Sequence, residues 1–109
     1  MSAILEAFEE TLDAQEEALG YRPTATVGFA VMKDCIPTEI DADLIAVEGG
    51  TGEQGGYSLQ MRASDFPGKP SKFAAVEITG RSEVNLCVLR VSEAGGIYTI
   101  TAGDPATNQ

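Results

Sequence analysis

Histidine is absent from this chain of 109 residues, and every catalytic dyad or triad built on an imidazole base goes with it. No Gly-x-Ser-x-Gly segment supplies a nucleophile elbow either. Basic residues are scarce: seven Lys and Arg face seventeen Asp and Glu, for a formal net charge of −10. Phosphate neutralisation needs clustered cations, and the seven are spread from Arg22 to Arg90, which argues against a nucleic-acid binder. Tryptophan is missing and aromatics make up 6%, so aliphatic side chains must fill most of the core. Cys35 and Cys87 are too few for a disulfide scaffold and fit no zinc spacing, so both are expected as buried, reduced thiols. The apolar runs are only a few residues long and no signal or lipidation motif is seen, so neither a membrane partner nor export is expected. The setting these absences imply is a reducing cytoplasm, or a particle assembled there.

What is present suffices for one domain with a modest core, since 43% of the residues are hydrophobic. Residues 2–19 read as an amphipathic helix. Ile4, Leu5, Phe8, Leu12 and Leu19 recur at helical spacing, with Gln15 the weak point of the stripe. Ser2 can cap its start, Gly20 can end it in a left-handed conformation, and Pro23 prevents continuation. From residue 25 to 102 the pattern is that of strands. The spacing predicts one over 26–31 with Val27, Phe29 and Val31 on one face, and a short apolar run at 44–47. Further strands are expected at 57–62 with Tyr57, Leu59 and Met61 inward, and at 73–78. Segments 84–91 and 97–101 read as a hairpin joined by Ser92-Glu93-Ala94-Gly95-Gly96. The expected architecture is α+β: an N-terminal helix packed on a five- to six-stranded antiparallel β-barrel or sandwich, with a polar tail at 103–109.

Two loops could carry chemistry. Gly50-Thr51-Gly52-Glu53-Gln54-Gly55 matches the Gly-x-Gly-x-x-Gly string of dinucleotide-binding turns. That chemistry needs a helix directly after the glycines to hold a pyrophosphate, whereas a strand pattern follows here and Glu53 would repel phosphate. Residues 49–56, with five glycines, therefore read as a flexible connection. Its Gly50, Gly52, Glu53 and Gly55 are candidate interaction residues, because a lasting conformation of such a loop needs a partner. Asp41-Ala42-Asp43 pairs two carboxylates without the further ligands or the glycine of a calcium loop. No catalytic, cofactor or metal residue is assigned.

The charge on the helix is more informative. Glu6, Glu9, Glu10, Asp13, Glu16 and Glu17 are six acids with no base in the same segment. Like charges three and four apart cost a few tenths of a kcal/mol each. Glu16 and Glu17 also oppose the helix dipole. Glu9, Glu10, Asp13 and Glu17 are accordingly candidate interaction residues, for a basic partner or as the wall of a passage for DNA. An ordinary solvated helix face is the alternative.

The order of features resembles the small head–tail joining proteins, the neck or connector proteins of tailed phages. The residues that carry it are Phe8, Leu12 and Gly20-Tyr21 in and after the helix, then Leu59-Gln60-Met61-Arg62-Ala63-Ser64-Asp65-Phe66-Pro67 as a strand and bend. Val76-Glu77-Ile78-Thr79-Gly80, Leu89-Arg90-Val91-Ser92 and Ile97-Tyr98-Thr99-Ile100-Thr101 follow. The 49–56 loop departs from that pattern. The resemblance implies a non-enzymatic virion component of the neck or tail, assembled in the host cytoplasm. It would form a homo-oligomeric ring between portal or adaptor and tail proteins, with DNA passing through an acidic lumen and no sequence-specific binding. A small monomeric binding module for a peptide or basic protein is the reading from a different class. Because no ligand constellation is visible, native purified protein is expected to carry neither stoichiometric metal nor nucleotide, which elemental analysis and intact mass spectrometry measure.

Overall fold

Alternation of apolar residues with period two, interrupted by glycine, sets the architecture of the computed structural model. Residues 3–40, 56–79 and 86–103 are described. They form a helix α1 (Ala3–Leu19) and strands β1 (Thr24–Val27), β2 (Ala30–Ile40), β3 (Gly56–Arg62), β4 (Ala75–Ile78), β5 (Leu86–Ala94) and β6 (Ile97–Gly103). A single 3-10 turn, Ala63–Asp65, follows β3. The strands close into an antiparallel barrel in the order β1-β2-β3-β6-β5-β4, with β4 paired back to β1. The expectation of a helix on a small antiparallel barrel is met, with six strands. Residues 44–47, 49–55 and 104–109, with their expected loop, apolar run and tail, lie outside the described residues.

The barrel interior takes one face of each strand. Leu59 and Met61 are fully buried there, as their alternation predicts, and Tyr57 packs at the margin. Ile100 and Ala102 of β6 and Val27 of β1 complete the centre with Cys35 and Ile78. The adjacent outward positions Ile36 and Ile97 are also apolar, and the helix covers them with Phe8 and Leu12. The helix thus sits on the outside wall of the barrel. Its stripe is buried only in the middle: Ile4 and Leu19 remain 47% and 50% exposed. Gly20, at φ +84, ends the helix with its N–H donated to the Glu16 carbonyl (2.9 Å). None of the described helices is long and apolar enough to cross a membrane.

The structure departs from the expected strands at four places. The segment 26–31 is two strands, because Gly28 takes φ +59 and reverses the chain, so that Val27 pairs with Ala30. Glycine at the first central position is what a two-residue hairpin turn of this hand requires. Phe29 and Val31 therefore project into solvent instead of sharing an inward face with Val27. The long strand β2 carries Pro37, which removes a donor and masked the pattern. Cys35 donates its N–H away from β3 to the Pro23 carbonyl (3.1 Å), so the alternate residue Pro37 also turns its nitrogen away from β3. β1 begins opposite Asp34, so no ladder partner is lost there. Third, Phe73 lies outside β4, at φ +70. Fourth, β5 runs to Ala94, leaving only Gly95-Gly96 as the turn, both at positive φ as a tight hairpin needs.

Phe8 is 3% exposed, and Phe8→Ala should destabilise the fold by about 3–5 kcal/mol in urea unfolding. Leu19→Ala, at a half-exposed position, should cost about 1 kcal/mol or less in the same measurement.

Candidate functional site

Two arginines meet the acids of the helix. Arg22, in the link between α1 and β1, donates to Asp13 (2.8 Å) and Glu16 (2.9 Å) and reaches Asp34 of β2 (3.5 Å). Arg62, the last residue of β3, donates to Glu9 and lies near Asp34 (3.5 Å) and Asp65 (3.6 Å). Its guanidinium also stacks over the Phe8 ring, 5.4 Å from the centroid. Asp34 is shared by both cations. The hydrogen bond with Glu16 raises the Arg22 pKa against a smaller desolvation effect. For Arg62 desolvation is the largest single effect and lowers the pKa, but the hydrogen bond and charge of Glu9, with Asp65 and Asp34, together raise it. Both guanidinium groups are held in the charged form.

These contacts divide the acidic residues singled out above. Glu9 and Asp13 are occupied by the chain's own arginines and fasten the helix to the barrel. Glu10 and Glu17 are exposed, and neither makes an ion pair among the described residues. The cations meeting Glu9 and Asp13 could not be read from helix periodicity, since Arg62 is 53 positions from Glu9. Gly50, Gly52, Glu53 and Gly55, together with Asp41 and Asp43, lie outside the described residues. Among the described residues no group of three or more His, Cys, Asp or Glu side chains could hold a metal ion. Cys35 and Cys87 are buried and not joined to each other.

A second region was not legible in the sequence. At the β1–β2 turn Phe29 is 94% exposed, and Val31, Met32 and Phe73 are each more than half exposed. Met32 sits in the bulge between β1 and β2 at φ +51, its N–H donated to the Thr26 hydroxyl (3.1 Å). Phe73, at φ +70, donates its N–H to the Val88 carbonyl (2.6 Å) and lies under the Lys72 ammonium. A large side chain in the left-handed region costs roughly 1–2 kcal/mol, so glycine would be the cheaper residue at either position. A cleft of about 350 Å³ separates the turn from the connector 66–71, with Phe29, Phe66, Lys69 and Pro70 among its walls. Phe66 is anchored edge-on to Tyr98, with ring centroids 5.3 Å apart. The Gly-x turn at Gly28 was the one available signal for this exposure.

A smaller groove of about 220 Å³ runs between the helix and the barrel wall, bounded by Ile4, Ala7, Phe8, Thr11, Gln60 and Ile97. The Thr11 hydroxyl is satisfied by the Ala7 carbonyl (2.9 Å), and Gln60 adds a polar edge to an otherwise apolar lining. The described residues therefore present an acidic, arginine-fastened helix with a groove at its side, and an apolar barrel end with lysines.

Arg62→Ala would leave three carboxylates without their shared cation, and the loss should be about 1–2 kcal/mol in denaturant melts. Glu10→Ala and Glu17→Ala should each stay within about 0.5 kcal/mol by the same measurement. Compared with known proteins, the chain matches no family model, no curated protein and no solved structure.

Proposed function

We propose that the chain is a structural component of the joint between head and tail of a tailed phage, where copies assemble into a ring between the portal side and the tail. The observation that carries this reading is the barrel end with Phe29, Val31, Met32 and Phe73 in solvent, two of them on strained backbone. Large apolar side chains held in solvent mark an interaction surface, and unfavourable backbone persists where a role requires it. The order of elements that resembles the joining proteins supports the same reading, as does a barrel whose strands pair all the way round. Strand pairing around the barrel leaves only part of β2 and of β5 with an unpaired edge, so side chains carry most of a contact between copies.

The charge fits such a ring. A channel wall made of these subunits, each with a formal charge of −10, repels phosphates, so DNA slides through without being held. Glu6, Glu10 and Glu17, exposed and clear of the arginines, are the helix carboxylates available to that wall. The reading as a monomeric module for a basic partner has less surface to work with, because Glu9 and Asp13 already hold cations. Native mass spectrometry and electron microscopy of concentrated protein test the proposal. A closed ring of one stoichiometry is expected, without retention of added duplex DNA. A chain that stays monomeric up to millimolar concentration would remove the ring reading.

A further inference from the structure

We propose that the Phe29 ring of one copy seats in the groove between helix and barrel of the next copy, with Lys69 of the first facing Glu10 of the second. This contact rests on the ring reading above and names the two surfaces that make it.

Phe29 has the properties of a knob. It stands at the tip of a two-residue turn and is 94% exposed, so its own molecule provides no seat for it. The turn is held in place by the Gly28 N–H donated to the Ala75 carbonyl (3.0 Å), which limits the entropy lost when the ring is buried. The groove has the properties of the hole. Its volume of about 220 Å³ has the size for one aromatic ring, and its walls are Ile4, Ala7, Phe8 and Ile97, with Thr11 already satisfied and Gln60 as a polar edge. Ala7 leaves the mouth open where a larger side chain would close it. An entering ring covers the half-exposed Ile4 and approaches Phe8 at the floor, an aromatic contact with a preferred geometry.

The charges beside the two surfaces are opposite. Lys69 lines the same cleft as Phe29 and travels with the knob. Glu10 is three residues from Ala7, which makes them neighbours on the helix surface, and its carboxylate makes no ion pair among the described residues. Knob and groove are different surfaces of one chain, so each copy offers one and receives the other. Such a contact is heterologous, and it adds copies until the rotation closes into a ring.

Sedimentation velocity on the full chain tests the contact with two variants on opposite surfaces, Phe29→Asp and Ala7→Trp, each at an exposed position. Each should weaken self-association on the order of thirtyfold, as loss of a central aromatic anchor does, with unchanged thermal melting. Mixed together they should form a one-to-one dimer that grows no further, because Phe29→Asp keeps its groove and Ala7→Trp keeps its knob. Lys69→Glu should weaken association a few-fold, and Glu10→Lys in the same chain should restore it. If Phe29→Asp assembles like the parent, or if the two variants fail to combine, this contact is wrong while the ring survives. If Phe29→Asp leaves the ring intact but abolishes binding of an added portal or tail protein, the knob serves that protein and the contact between copies is overturned. A parent chain that never associates overturns both.

Discussion

Asp34, on the second strand, lies 3.5 Å from the guanidinium of Arg22 and 3.5 Å from that of Arg62, and so joins the two cations that meet the acids of the helix where Phe8 and Leu12 pack on the barrel. Each arginine carries the charge of the barrel wall outward to acids of the helix: Glu9 at Arg62, Asp13 and Glu16 at Arg22. The helix by itself is poorly designed, with six acids and no base to relieve them. Two cations supplied from outside the helix convert part of that repulsion into attachment. Phe8 lies beneath one of these cations, so the apolar and ionic contacts fasten the same turn of helix.

Closure of the barrel is the second constraint. β4 has only four residues, yet it bridges β1 and β5 and completes the circle. The chain reaches it from β3 through the turn at Ala63–Asp65 and a stretch in which Phe66, edge-on to Tyr98, braces one end of the barrel. Gly28 enters the same region by donating to Ala75. The exposed aromatic end is therefore built on braced backbone and not on a loose loop.

How much of this was legible varies by element, for physical reasons. The helix and the strands β3 and β6 follow from periodicity, because each buries one regular face. The strand β2 was hidden by Pro37, whose missing donor is harmless only because of where β1 begins. The reversal at Gly28 fell inside a run whose alternation looked continuous. Exposure of Phe29 and Met32 depends on that reversal and on the bulge beside it, so it could not be read from residue type. For the site, the helical acids were visible in the sequence, but the division between Glu9 and Asp13, which are bound, and Glu10 and Glu17, which are not, depends on Arg22 and Arg62 finding them in three dimensions.

The position of the helix on the outer wall also bears on the order of folding. Its platform is made of Ile36 and Ile97 with Arg62 close by, groups from three strands that become neighbours only as the barrel forms. The Gly95-Gly96 turn lies directly against Ile4 and Leu5, so the docked helix rests on that hairpin as well. The helix, synthesised before the strands it docks on, thus waits for them to reach its native contacts, and contacts of such long sequence separation form slowly. Until then its six acids keep the emerging helix hydrated and apart from its copies. Docking of the helix then creates the groove at its side, so the surface assigned to the next copy comes into existence only on a chain that has finished folding.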